Sequence, residues 1–291
     1  MDGFLIINKP KGLTSQTVCS KIKYLLNEKK VGHCGTLDPN ATGVLVVALG
    51  RATKTLKLIE GDSKAYIARV RFGLTTDTLD ICGKVIDETK MDIKLLDIKL
   101  ALDRLKEEKT QIPPMTSAIK INGKKLYEYQ REGKDVLVKE RNVRLNNYKI
   151  VSDLELVNGY YEISIYVDVT KGYYVRSMAR DLGELLNGYA ILSDLERVRS
   201  GNSKIENSVK LEDLTKDNVI SIFDFIKLDI INVKDYLIPL IKNGITLDER
   251  QVITDKPFYV NSSIGIIAIY EPVGDNKYKP IILFGGENGN N

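Results

Sequence analysis

The stretch "YYEISIYVDVTKGYYVRSMARDLGELLNG", Tyr160 to Gly188, decides the fold. Every second residue from Ile163 to Val169 is apolar, the period of a strand with one face on a core. After a Thr-Lys-Gly turn the pattern becomes helical, with Gly188 expected to end the helix. Working outward, "KAYIARVRFGLTTDT" alternates from Tyr66 to Phe72 as another strand. "GVLVVALG" reads as a buried strand, and "GFLIINKPKG" as a strand ended by a Pro/Gly turn. Helices are expected in "LTSQTVCSKIKYLLNEKK", in "KLLDIKLALDRLKEE" and, briefly, in "RATKTLKLIEG". In the first of these Thr14 or Ser15 supplies the cap, and Val18, Ile22, Leu25 and Leu26 share a face. "IKINGKKLYEYQREG" starts as a strand, turns at Asn122-Gly123 and becomes helical. Strands and helices mix irregularly, with strands following one another directly. That argues for α+β rather than a doubly wound parallel sheet. From about Asn232 the character shifts to a small, mainly β module, which divides the chain into 1–231 and 232–291. The only low-complexity stretch is the polar tail "GGENGNN".

The chain has 291 residues and is 43% hydrophobic, enough for a sizeable core. No apolar run reaches the roughly 18 residues of a membrane span. The N-terminal apolar patch lacks a preceding basic segment and a cleavage site, so it reads as a strand and not a signal peptide. Three widely spaced cysteines, Cys19, Cys34 and Cys82, fit a reducing, cytoplasmic setting without disulfides. One histidine and no CxxC argue against a metal site. Residues 1–60 and 119–150 each carry nine basic and four acidic side chains, against six and nine in 206–250. Two basic segments on a near-neutral chain point to a localised patch for a polyanion, although solvated lysines explain the charge alone equally well.

"GHCGTLDPNATGVL", Gly32 to Leu45, carries the one histidine and an aspartate before a proline. Asp-Pro is ordinarily a turn starter. Here Gly32, Gly35 and Gly43 permit close approach of another molecule, and Pro39 biases Asp38 towards extended backbone. A carboxylate so held is preorganised. Position 40 is Asn, where an aspartyl-phosphate DxD motif needs a second aspartate, and no Walker loop is present. The next acidic residue is Glu60, so a glycosidase pair is not evident either. Further along, Arg176 falls where strand gives way to helix. A cation there is mildly unfavourable, by about 0.3–1 kcal/mol, unless it faces an anion.

These residues resemble the TruB-type tRNA pseudouridine synthases. "GHCGTLDPNATGVL" is similar to their catalytic motif and "INKPKGLTSQ" to their N-terminal Lys-Pro motif. "KAYIARVRFGLTTDTLD" matches the tyrosine-bearing strand, and "KGYYVRSMARDLGELL" the arginine motif. "QIPPMTSAIKINGKKLYEYQREG" resembles a segment particular to the family, and "LERVRSG" the segment closing its catalytic domain. The blocks run in family order over about residues 1–205. The resemblance implies a mixed, largely antiparallel sheet with flanking helices, plus a PUA-like RNA-binding module at the C-terminus.

It also implies the chemistry. The family turns uridine into pseudouridine by breaking the N-glycosidic bond, turning the base and forming a C–C bond to the same sugar carbon. No redox or energy cofactor and no metal is needed. Asp38 would be the carboxylate, as nucleophile or as base, and an aspartate's reference pKa of about 3.9 leaves it charged at neutral pH. Arg176 would steady that charge in a dry site. Tyr66 would stack on the extruded uracil and serve the late proton transfer. His33 would fill the gap left by the flipped base, which asks for a flat ring at a loop tip. Lys9 and Pro10 would back the site, and Tyr174 and Leu195 would wall it. Lys120, Lys124, Lys125 and Arg131 would meet RNA phosphates, contacts that weaken with salt. The expected substrate is the T-arm stem-loop of tRNA at conventional position 55. No guide RNA, obligatory protein partner or membrane is expected, and a monomer is the simplest state. Two other readings use the same residues: a non-catalytic RNA-binding protein or chaperone, and an aspartate-nucleophile enzyme acting on nucleosides.

Overall fold

The computed structural model describes residues 1–61, 63–134 and 136–284; the polar tail 285–291 lies outside them. Strands β1 (Gly3–Lys9), β2 (Val31–Cys34), β3 (Thr42–Leu49), β4 (Ser63–Phe72), β5 (Leu145–Ile150), β6 (Tyr160–Thr170) and β7 (Ala190–Ser200) build one large sheet. Its order is β5-β6-β4-β7-β3-β1, with further short strands at its margins. All neighbours in that order are antiparallel except β7 and β3, which run parallel at Glu196–Thr42 and Arg197–Gly43. The sheet is therefore mixed and largely antiparallel.

The β3 strand explains how the site is placed. One edge pairs with β1 along Gly43 to Leu49. The other edge is shared: β2 takes Val46 to Leu49 and β7 takes Thr42 and Gly43. The loop from Gly35 to Ala41 emerges where β2 and β7 part, so it is flanked by strands from distant parts of the chain. Gly43 is needed there. Its φ is +97°, and a Cβ would lie 2.2 Å from the Arg197 carbonyl oxygen. The close approach expected from this glycine is thus to the chain's own backbone.

Four helices matter here: α1 (Ser15–Leu26), α2 (Leu95–Glu107), α3 (Leu126–Arg131) and α4 (Val175–Leu185). Thr14 caps α1, its Oγ1 accepting the Thr17 N–H at 3.0 Å. Val18, Cys19, Ile22 and Leu26 of α1 pack on Leu5, Ile7, Leu45 and Val47. Leu25, expected on that face, is 51% exposed. The buried arc runs through Ser15, Val18, Cys19, Ile22 and Leu26, and Leu25 lies beyond its edge. On the other half of the sheet, Val70, Ile165, Val167 and Leu192 pack against Ile98 and Leu102 of α2 and Met178 and Leu182 of α4. The left-handed residue after α4 is Asn187, with φ +56°, and not Gly188. Gly188 is small because a Cβ there would strike Met91.

A separate four-stranded sheet holds β8 (Asp229–Asn232), β9 (Phe258–Ser262), β10 (Gly265–Pro272) and β11 (Tyr278–Leu283) in chain order. It has its own core around Phe258, Tyr270 and Tyr278. It also shares one with the large sheet: Tyr259, Ile269 and Ile282 lie in a cluster with Phe4, Val44 and Val46. No described helix is long and apolar enough to cross a membrane.

Candidate active site

The backbone of the 35–39 loop is tied down on both sides of Asp38. Arg197, fully buried, donates from Nη2 to Gly35 O at 2.9 Å, from Nη1 to Thr36 O at 3.4 Å and from Nε to Val44 O at 2.7 Å. Ser15 Oγ accepts the Leu37 N–H at 2.9 Å and donates to Leu37 O at 3.1 Å. Pro39 O accepts from Lys9 Nζ at 3.0 Å and from the Gly12 N–H at 2.8 Å. Asp38 sits between these anchors, and its own carbonyl accepts the Ala41 N–H in a turn. Its carboxylate is fixed by its frame, as a reacting group requires.

That carboxylate meets Arg176. Asp38 Oδ2 is 3.0 Å from Arg176 Nε in an ion pair. Arg176 is the second residue of α4, and its side chain is only 7% exposed. Its Nη1 donates to Thr78 O at 3.0 Å and to Thr116 Oγ1, and its Nη2 to Thr116 O at 3.2 Å. Asp80 Oδ2 lies 3.9 Å from Nη1 as a second carboxylate. Two anions thus offset the cost of a cation at a helix start. The expectation of a dry aspartate needs correcting: the Asp38 side chain is 43% exposed, and the guanidinium is the buried partner. The reason is geometric, since Asp38 projects from a loop over a cavity while Arg176 is overlaid by residues 78–80 and 116.

The cavity measures about 430 Å³, within the range of small-ligand sites. Asp38, Arg176, Tyr66, Tyr174 and Leu195 all line it, so five residues singled out in the sequence converge there. Tyr66 is held on β4 between Val167 and Arg197 of its neighbours, and Leu195 is two residues before Arg197 on β7. Tyr127, the second residue of α3, reaches the same cavity. The basic side chains gather beside it. Lys125 Nζ is 5.3 Å and the Arg131 guanidinium 5.4 Å from the Tyr127 ring centre, and Lys124 stands 4.9 Å from that of Tyr129. Lys124 also pairs with Glu132, and Lys120 is exposed on the hairpin.

Two of the residues singled out in the sequence do not line the cavity. Lys9 is fully buried and donates to Pro10 O, Leu13 O and Pro39 O, so it supports the loop from behind and does not face the cavity. Burial, with the Arg197 charge adding to it and Asp38 opposing it, brings its pKa down to about 8. His33 lies on β2 opposite Val47 and not at a loop tip; it does not line the cavity. The short Val31–Cys34 segment pairs with β3, and a four-residue strand next to glycines leaves little periodicity to read. The His33 Nδ1 is buried without a hydrogen-bond partner among the described residues. Burial and the Arg197 charge lower its pKa, which favours the neutral ring.

Sequence reasoning passed over Arg197, Ser15, Thr116 and Gln111. Arg197 shares a face of β7 with Leu195, two residues earlier, and a charged residue at an inward position was the available signal. Ser15 and Gln111 bond to backbone groups, and Thr116 meets Arg176 through its carbonyl as well as its hydroxyl, contacts that no side-chain motif announces. Among the described residues no group of three or more His, Cys, Asp or Glu is arranged to hold a metal.

The family profile "TruB family pseudouridylate synthase (N terminal domain)" matches residues 23–175. A tRNA pseudouridine synthase B from Aster yellows witches'-broom phytoplasma (strain AYWB) is 39% identical over 288 residues, covering 98% of this chain and all of that protein. The tRNA pseudouridine synthase B of Acholeplasma laidlawii (strain PG-8A) is 37% identical over 287 residues, with the same coverage. Among solved structures, a chain in the crystal structure of a Cbf5-Nop10-Gar1 complex superposes with a TM-score of 0.66 at 23% identity. That match covers 97% of this chain and 84% of the other, and it shows the fold.

Proposed function

The chain belongs to the TruB family of pseudouridylate synthases, and from that membership we propose that it isomerises the T-loop uridine of tRNA, at conventional position 55, without guide RNA. It is an isomerase by family. Asp38 is the catalytic carboxylate and Arg176 its partner. The observation that carries this reading is the 3.0 Å ion pair between them on the wall of a cavity that Tyr66, Tyr174 and Leu195 also line.

The reaction keeps all atoms of the nucleotide. The N1–C1′ bond breaks, the base turns, and C5 bonds to C1′; the C5 proton leaves and N1 gains one. Asp38 begins this by attacking the nucleotide or by removing a sugar proton. Both roles need an ionised oxygen held still, which the pinned loop and the guanidinium supply. Reaching the uridine requires extruding it at a cost of a few kcal/mol. Tyr66 and Tyr174 offer aromatic faces on which the flipped base recovers stacking. Tyr66 carries a hydroxyl in the same cavity for the late proton transfer from C5. Lys120, Lys124, Lys125 and Arg131, gathered beside Tyr127 and Tyr129, grip the phosphates of the stem-loop. The module from residue 232 gives a second RNA-binding surface. The enzyme works in the cytoplasm as a monomer, without a protein partner.

An unmodified T-arm hairpin, incubated with the protein alone and mapped by mass-tagging of pseudouridine, tests this reading. Product at a single uridine is the expected result. Product only on addition of guide RNA, or none at all, overturns it.

A further inference from the structure

The segment "QIPPMTSA", residues 111–118, crosses the first turn of α4 on its way to the basic hairpin. Its hydrogen bonds to that turn form a series. Gln111, 6% exposed, makes two bonds to one residue. Its Nε2 donates to Tyr174 O at 3.1 Å, and its Oε1 accepts the Tyr174 N–H at 2.9 Å. A primary amide that matches both groups of one residue fixes position and rotation together, as a rung of a sheet does. Ile112 O then accepts from Ser177 Oγ at 2.9 Å, and Thr116 holds Arg176 through its carbonyl and hydroxyl.

The helix needs such a hold. Tyr174 is its N-cap residue, it makes no side-chain cap bond, and the first turn has no acidic residue. A first turn without a cap leaves N–H groups without partners and tends to fray. Yet this turn sets Tyr174 and Val175 on the cavity wall and Arg176 on Asp38. A misplacement of about 1 Å at such a site costs about 10²-fold in rate.

We infer that Gln111 is a positioning residue of the catalytic pair: by clamping Tyr174 it sets where α4 begins, and so where Arg176 meets Asp38. The inference rests on the catalytic reading of those two residues. Gln111 itself lines a different cavity, of about 490 Å³, in which Tyr173 is the wall shared with the Asp38 cavity. Its loss therefore acts mainly on turnover, through Tyr174 and Arg176, while the basic side chains that grip the phosphates stay in place.

Two substitutions test this with a T-arm hairpin under single-turnover conditions from pH 6 to 8.5. Gln111→Ala removes both bonds. Gln111→Glu keeps the shape and the acceptor; ionised, it sets an oxygen against the Tyr174 carbonyl, whereas protonated it donates again. The groups facing it in that cavity are Glu108, Glu140, Asp181 and Glu184, with Arg104 and Arg180. Burial raises the Asp181 carboxyl above its ordinary range, with Arg180 and the Gln111 amide itself opposing the rise, and a carboxyl at position 111 meets the same burial and a like charge in place of that amide. The expected result is a loss of about tenfold or more for Gln111→Ala at every pH, with RNA affinity within about threefold. Gln111→Glu should match that loss at pH 8.5 and recover about fivefold relative to wild type at pH 6. A wild-type rate for Gln111→Ala, an equal loss of RNA affinity, or a flat Gln111→Glu profile overturns the inference. Asp38→Asn in the same assay separates the two levels. If it is inactive while both Gln111 variants run at the wild-type rate, only the positioning role falls. If it turns over, the catalytic reading falls and the inference with it.

Discussion

Replacing Arg197 by methionine keeps the buried stem and removes the guanidinium. Three carbonyls then lose their donor: Val44 O at 2.7 Å, Gly35 O at 2.9 Å and Thr36 O at 3.4 Å. Hydrogen bonds to a charged group contribute about 1.5–3 kcal/mol each, so the two short ones together come to about 3–6 kcal/mol. Against this, the variant no longer buries a charge, a saving of several kcal/mol that offsets part of the loss. The net expectation is a destabilisation of about 2–3 kcal/mol, or roughly 3–5 °C in Tm for a chain of 291 residues. Turnover should suffer more. Gly35 and Thr36 immediately precede the Leu37–Asp38 step, and their release lets the carboxylate drift by an ångström, worth about 10²-fold. Calorimetry reads the first effect. Tritium release from a T-arm hairpin labelled at uridine C5 reads the second, because that hydrogen leaves in the reaction. A Tm within 2 °C of wild type, or a lowered Tm with a rate within about threefold, refutes the view that Arg197 anchors the loop.

Lys9 gives a pH-dependent expectation. Its pKa is brought down from 10.5 to about 8 in the folded protein, so the unfolded chain holds the proton more tightly. The full cost of burying the charge is present below pH 8 and is relieved as pH rises towards 10.5. Urea unfolding should therefore show wild type gaining on Lys9→Met between pH 7.5 and 10, by at most about 3 kcal/mol; a constant difference contradicts this. Gly43→Ala must part β3 from β7, because its Cβ would lie 2.2 Å from Arg197 O. A loss of at least about 3 kcal/mol in denaturant unfolding is expected, beyond the roughly 1–2 kcal/mol of left-handed strain alone. Tyr66→Phe keeps an aromatic face in the cavity and removes the hydroxyl. It should bind the hairpin like wild type yet release tritium at least about tenfold more slowly, and a wild-type rate would leave Tyr66 with stacking alone.

Much of this arrangement was legible in the residues, for reasons that differ by element. Period-two runs such as Ile163 to Val169 face a core on one side only, so β6 and β4 could be read directly. The pairing of Asp38 with Arg176, 138 positions apart, carries no local signal, and it was the resemblance that joined them. The resemblance puts His33 at a loop tip, and four residues that include Gly32 and stop at Gly35 show no period to set against it; their pairing with β3 is a tertiary fact. Leu25 fits a helical face on spacing, but the buried arc of α1 is set by where the sheet lies beneath it. Arg197 and Gln111 stayed hidden because their partners are backbone carbonyls and N–H groups, which every residue possesses.

The central claim is that a loop-borne carboxylate, steadied by a buried guanidinium, performs the chemistry. The most direct measurement is the single-turnover rate of Asp38→Asn on an unmodified T-arm hairpin, with RNA affinity measured on the same preparation. The account predicts a rate below about one thousandth of wild type with affinity within about threefold. A rate within tenfold of wild type would contradict it.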